Sequence, residues 1–273
     1  MREIHNEYLD YRFSLPNKVT RVVSLVSSAT EALDHMGLLD RVIGVSEYCG
    51  RYVDDSEIPT VGQYLNADFD QIIKLKPELI VTTTGIQRHL AEKIKKSGLP
   101  IYQLTLPASF EGMLENIIVL GGLVNVLEKA RCLVRKLRLK SELVREASNT
   151  FNRPPRIYVE LWLGRHMRAV GGYSYIADLV EMSGGELFYK NHAEGYFTPD
   201  FEEAKQADLF VCFHEPEYLV DGAQLASERG WNMPIIMSTV DCGENVIQDG
   251  PSLLDTAEWL YKQVKAKLGE LSQ

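Results

Sequence analysis

No stretch of this chain is apolar for the roughly 20 residues that a bilayer crossing needs, so a membrane-spanning helix is not expected. Paired cysteines are also missing. Cys49, Cys132, Cys212 and Cys242 are scattered and form no CxxC spacing, which fits reduced core or loop thiols better than a disulfide framework or a zinc site. There is no HExxH, no GxGxxG set between a strand and a helix, and no GxSxG or Ser-His-Asp arrangement in a suitable context, so the chain reads as a non-enzyme with no intrinsic cofactor. Positive charge is in deficit. Lys and Arg total 29 against 38 Asp and Glu, a net charge of −9, which argues against a nucleic-acid partner. The opening segment MREIHNEYLDYRFSLPNK has neither an apolar leader core nor a lipid-attachment Cys, so as written the chain is not exported.

What is present is a phrase said twice. Asp70 to Val81 reads DQIIKLKPELIV and Asp200 to Val211 reads DFEEAKQADLFV. In each an Asp opens an amphipathic stretch, an acidic residue follows eight positions later, and a Leu-(Ile/Phe)-Val run closes it. The change from a helical to an extended period marks an αβ unit, and two copies predict two α/β lobes of similar build. Asp68 with Gln71 suits a capping box, and Thr198 suits an N-cap with Pro199 at the first helical position. That alignment puts Asp70 and Asp200 at the same place in equivalent first turns. An Asp there favours the helix dipole, which explains each residue singly but not their matched placement.

The first lobe is expected from Arg21, after an N-terminal extension of residues 1–20. The β-branched run VVSLV reads as a buried strand, Ser28 and Glu31 as the capping box of a helix to about Met36, and Gly37 as its stop. A strand at Arg41 to Val45, a loop, the first repeat unit, a helix near Gln87 to Lys96 and a strand at Ile101 to Leu104 continue the alternation to residue 123, as in a parallel sheet covered by helices. From about Val124 to Ala147, apolar residues recur at Val126, Leu127, Ala130, Leu133, Val134, Leu137 and Val144. This predicts one linking helix over residues 124–149, ended by Asn149 and the Pro154-Pro155 pair. The second lobe, residues 150–273, restarts with a strand at Arg156 to Leu161 and closes with a helix near Ser252 to Leu268.

The pieces RVVSLVSSATEAL, DRVIGVSEYC, KPELIV, the long central helix, AVGGYSYIADLVEMSGGELF and the Asp200 unit, in this order, resemble the class III periplasmic binding proteins. These are helical-backbone receptors for cobalamin, siderophores and haem, and the likeness is nearest to the cobalamin branch. The resemblance implies an α/β fold of two Rossmann-like lobes with parallel sheets, joined by a single long rigid helix, with the ligand in the cleft between them. It implies a monomer that passes its ligand to an ABC transporter permease, in the periplasm or at the cell surface. In the family an acidic residue on each lobe docks onto permease arginines, and those positions fall on Asp70 and Asp200, where Glu is more usual. Tyr48 and Tyr64 match positions lining the cobalamin pocket, the second with Tyr where Trp is frequent. Thr82-Thr83-Thr84 stands where the cobalamin receptors carry an aromatic, so the identity of the chelate stays open.

Ligands of open α/β sheets sit beyond the carboxyl ends of the strands, so the loops after Val26, Val45, Thr82, Leu161 and Phe213 are expected to face the cleft. They carry Ser27, Ser28, Tyr48, Tyr52, Tyr64, Trp162, Arg165, His166 and His214, with Tyr196 just before the second repeat helix. Rings with a polar tip suit a large, flat, partly polar ligand: cobalamin or another corrinoid, haem, or a ferric siderophore. Each ring has an alternative as a packing or surface residue. His89 reads as solvated, and His166, His192 and His214 lack the spacing that fixes two metal ligands on one element. Three functions therefore remain: a receptor for an ABC importer, a cytoplasmic tetrapyrrole carrier or chelatase-like protein of the same fold, and a free-metal receptor using histidines.

Overall fold

The computed structural model describes residues 1–163, 165–215, 218–238 and 247–271. Cys242 lies outside them. The chain forms two compact units, the first comprising Met1–Pro107, Glu111–Leu137 and Gln248–Pro251, the second Ala108–Phe110, Arg138–Ile247 and Ser252–Gln273.

The first unit begins with a hairpin, β1 (Arg2–Asn6) and β2 (Tyr11–Leu15), paired antiparallel. These residues are part of the unit's core. Leu9 packs with Val23, Ile80 and Ile94, the buried Asn6 amide donates to the Gln103 carbonyl at 3.0 Å, and Arg2 reaches the carbonyls of Gly122 and Leu123. Then follow β3 (Val22–Ser24), α1 (Ser27–His35), β4 (Val42–Ser46), β5 (Thr60–Gly62), α2 (Phe69–Leu75), β6 (Leu79–Thr83), α3 (Arg88–Lys96) and β7 (Ile101–Leu104). The strands form a parallel sheet in the order β5-β4-β3-β6-β7. Central β3 and β6 are buried at every residue, as expected of a parallel sheet with helices on both faces. The chain winds one way from β3 and returns to wind the other way from β6, so the topological switch lies between those two strands.

Helix α4 (Phe110–Leu123) was not marked by periodicity, because its sequence is apolar on most sides. Asn125 then takes the left-handed conformation, φ 59°, and donates from its amide to the Asn17 carbonyl at 2.8 Å. That turn delays the long helix, so α5 runs Leu127–Ser148 rather than from Val124. A Cβ on Gly121 would lie 2.3 Å from that of Ala130, so the α4–α5 approach requires glycine there. The 22 residues of α5 make about 33 Å of unbroken helix. Its residues through Leu137 belong to the first unit and those from Arg138 to the second.

The second unit holds β8 (Arg156–Leu163), β9 (His166–Val170), α6 (Tyr175–Met182), β10 (Glu186–Leu187), β11 (Tyr196–Phe197), α7 (Phe201–Ala204), β12 (Leu209–His214), α8 (Gly222–Arg229), β13 (Ile235–Met237) and α9 (Leu253–Leu271). Its sheet runs β11-β9-β8-β12-β13, and β10 also pairs with β8. This corrects the expectation of a parallel sheet. β9 pairs antiparallel with both β8 and β11, so the sheet is mixed.

The repeat has a structural cause. The second acidic residue of each copy anchors the start of its unit's first main strand: Glu78 Oε2 accepts from the backbone N–H of Thr20 and Arg21, and Asp208 Oδ2 from the N–H of Arg156 at 2.7 Å.

Candidate functional site

In the first unit the carboxyl ends of the strands gather the predicted tyrosines. Tyr48 follows β4 on a short turn anchored by Cys49, whose buried thiol lies 3.2 Å from Thr30 Oγ1 and is pushed up in pKa by burial, so it stays a thiol. Tyr64 follows β5. The two rings meet edge to face with centroids 6.4 Å apart, and the Arg51 guanidinium lies 4.5 Å from the Tyr48 centroid. Beneath them Gln87 is fully buried: its Oε1 accepts from Thr83 N–H at 2.9 Å, and its Nε2 donates to the carbonyls of Leu25 and Tyr64 at 2.9 and 2.7 Å. One amide thus ties together the ends of β3 and β6 and the loop after β5, at the switch point. Tyr52 ends the Cys49 turn, half-buried.

Ser27 is the first residue of α1, half-buried, but the capping box of Ser28 and Glu31 does not form. Val26 is the N-cap, with no side-chain bond. Both residues are buried because they serve a different segment. Ser28 donates to Asp249, and Glu31 accepts from the Gln248 amide. Gly250 passes so close that a Cβ there would lie 2.3 Å from Glu31 Oε2. Burial pushes the Asp249 carboxyl up to about 6 against the Ser28 bond, which lowers it. The Ser28 hydroxyl thus spends its one donor on Asp249 and keeps its acceptor lone pairs. Thr82 and Thr83 are interior residues of β6, and Thr84 Oγ1 accepts from Leu106 N–H, so the three threonines do not form a loop.

In the second unit Trp162 is a strand residue of β8, paired with Met167 of β9, and not part of a loop. Tyr158, Glu160 and Trp162 share one face of β8, alongside Phe210, Cys212 and His214 of β12 in register. Glu160 has no exposed surface; it accepts from Tyr158 Oη at 2.7 Å, Trp162 Nε1 at 3.0 Å and Arg229 Nη1 at 2.5 Å. Burial and the Glu160 charge push the Tyr158 phenol up, which keeps it a donor. Tyr218 stacks on Trp162 with centroids 6.1 Å apart and planes 13° apart.

His214 ends β12, nearly buried. Its Nδ1 lies 3.1 Å from the Glu215 carbonyl, which can only accept, so Nδ1 is the donor of that contact. Arg165 lies exposed in the β8–β9 turn, His166 is exposed at the start of β9, and His192 stacks on Phe197 with centroids 3.6 Å apart. The three histidines are not brought together, and among the described residues no group of three His, Cys, Asp or Glu side chains could hold a metal ion. His89 is exposed on α3. Tyr196 is half-buried in β11, opposite Val170.

The two repeat aspartates are not equivalent. Asp68 caps α2 through Gln71 N–H, as expected, whereas α7 is capped by Asp200 itself, which accepts from the N–H of Glu202 and Glu203. Thr198 is not the cap. The register therefore pairs Asp68-Phe69-Asp70 with Asp200-Phe201-Glu202, and the counterpart of Asp70 is Glu202. Helix α7 is shorter than α2, which shifted the alignment by two residues. Gln87, Arg51, Glu160, Arg229 and Tyr218 were not singled out. For Glu160 a signal existed: a lone acid in the middle of an apolar strand.

A profile of the family described as "Periplasmic binding protein" matches residues 22–234. The vitamin B12-binding protein of Vibrio parahaemolyticus is 27% identical over 213 residues, 78% of this chain and 74% of that protein. A cobalamin-binding protein of Halobacterium salinarum is 24% identical over 180 residues, and the match spans about half of that relative, 48%. Among solved structures, IsdE of Staphylococcus aureus complexed with heme superposes with a TM-score of 0.75 at 19% identity, over 89% of this chain and 98% of that one. The periplasmic vitamin B12 binding protein BtuF of Vibrio cholerae gives 0.67 at 19% identity, over 92% and 98%. With 213 of its 273 residues inside the family profile and this fold, the chain belongs to the periplasmic binding protein family, with the architecture of class III.

Proposed function

We propose that the protein is a non-enzymatic substrate-binding protein that captures a corrinoid such as cobalamin, or a related iron or cobalt chelate, for an ABC importer. The supporting observation is the distribution of exposed apolar side chains. Leu65, Ile86 and Leu106 follow β5, β6 and β7 in the first unit, at the same carboxyl end of the sheet as Tyr48 and Tyr64, with exposures of 49, 57 and 36%. Leu163 ends β8 and Leu219 follows β12 in the second, beside Trp162 and Tyr218, with exposures of 49 and 81%. In each unit, taken by itself, water-exposed apolar surface at the carboxyl-end edge suits contact with a flat macrocycle, whose binding releases that water. Relatives named for cobalamin, vitamin B12 and heme point to the same ligand class. Arg165 and Tyr196 can meet polar substituents, Ser27 has a hydroxyl at the first turn of α1, and His214 stands at the carboxyl end of β12.

Docking to the permease is assigned to Asp70 and Glu202, both exposed second residues of matching helices, with Asp200 holding the turn that presents Glu202. Glu202 pairs with Lys205, an exposed contact that a permease arginine can displace at small cost. The compartment that fits is the periplasm or the cell surface; among the described residues no helix is long and apolar enough to cross a membrane. Absorbance titration of the purified apoprotein with cyanocobalamin, haemin and a ferric siderophore tests the reading. A saturable spectral change with one of them is expected, and no change with any overturns it.

A further inference from the structure

We infer that the buried Glu160–Arg229 pair is a positioning device that fixes Trp162 as a ring-face platform, with Tyr218 as its second ring. The inference rests on the receptor reading above. Replacing a buried ion pair by apolar residues of like volume is often neutral or stabilising, so core stability alone does not account for Glu160. Its geometry does. Arg229, at the end of α8, is held between two rings, with its guanidinium 4.1 Å from the Phe201 centroid and 4.8 Å from that of Trp231. It grips Oε1 together with Tyr158, which leaves Oε2 for the Trp162 indole. The carboxylate therefore links the interior of the sheet to the side chain nearest its carboxyl end.

Two consequences follow for the ligand. The Trp162 N–H is already committed, so this residue can offer only its ring, and Arg229 cannot reach outward to a ligand carboxylate because its charge is spent on Glu160. What remains at this edge is the stacked Trp162–Tyr218 pair, which selects a planar conjugated surface by area and not by donor pattern. Glu160 and Arg229 would act through Trp162 without touching the ligand.

The indole N–H resonances of ¹⁵N-tryptophan-labelled protein test this, with Trp162 assigned by its loss in W162F. In the wild type the Trp162 N–H is expected to exchange slowly with solvent, and in E160Q to exchange nearly as fast as a free indole. E160Q should bind whichever probe the wild type binds, haemin or cyanocobalamin, about tenfold more weakly. W162F should lose a similar factor, and the double variant little more than either alone, because both remove one oriented ring. If E160Q does not fold by circular dichroism, E160D keeps the charge for Arg229 while shortening the reach to the indole, and the same losses are expected. Fast exchange in the wild type, protection that survives in a folded Glu160 variant, or additive losses overturn the inference. A wild type that binds neither of these nor a ferric siderophore overturns the receptor reading and this inference together, and one that binds the siderophore alone overturns this inference. A wild type that binds while E160Q binds equally well overturns the positioning role alone.

Discussion

Gln87 Nε2 donates to the carbonyl of Tyr64 at 2.7 Å, from a side chain with no exposed surface. The same nitrogen serves Leu25, and Oε1 serves Thr83, so this amide sets the spacing of three strand ends at the point where the sheet changes winding direction. Gln87→Leu would leave a donor and two acceptors without their partner. At about 1 kcal/mol or more per buried group, a loss of about 3 kcal/mol is expected, read as a lower urea midpoint. A loss within about 0.5 kcal/mol would mean that water replaces the amide without cost.

The rings above Gln87 are expected to carry affinity. Replacing both Tyr48 and Tyr64 by Ala should weaken chelate binding by more than about tenfold, since two lost aromatic contacts of roughly 1 kcal/mol each exceed the 1.4 kcal/mol of one decade. Titration of the folded double variant checks this. Unchanged affinity would leave the edge-to-face pair as packing only.

Asp249 gives a pH dependence with a definite sign. Its folded pKa is raised from 3.8 to about 6, chiefly by burial, so between those values the folded state holds more protons than the unfolded state. Stability should fall as pH rises through that window, then level off. Asp249→Asn removes this contribution: the variant should match the wild type near pH 4 and exceed it by about 3 kcal/mol near pH 7, since a shift of about two units corresponds to about 1.4 kcal/mol per unit. Urea unfolding of both proteins across the window isolates the group, because all other titrations are common to the two. A constant difference would assign the buried proton elsewhere.

The parts of the fold visible in the sequence were those written by local rules. The buried runs of β3 and β6, the Asp68 cap and the face of α5 with Ala130, Leu133 and Leu137 all follow from periodicity and end chemistry. Features made by distant partners were not visible there. Ser28 and Glu31 have capping-box spacing, yet both side chains turn to Gln248 and Asp249, more than 200 residues away. Residues 1–15 show no strong pattern because a hairpin gains its stability from the unit it packs on. At the candidate site the half-buried rings could be picked by type. Gln87 and Glu160, which hold them, could not, because a buried polar residue is explained only by partners that the fold supplies.

The corrected register of the repeat separates two roles that a single alignment merged. Asp200 accepts from two N–H groups of its own helix, so Asp200→Ala should cost about 1 kcal/mol of stability through loss of an N-cap. Asp70 and Glu202 lie outside the capping bonds, and among the described residues Asp70 has no ion pair. The double change D70A/E202A should therefore leave stability and chelate affinity near those of the wild type, while weakening association with a cognate permease and flattening its salt dependence, since two charge contacts are lost. Pull-down with the permease at two ionic strengths compares the double variant with folded D200A. Stronger loss of association in D200A than in D70A/E202A would return the docking charge to Asp200, and equal association of D70A/E202A and wild type would remove both residues from the interface.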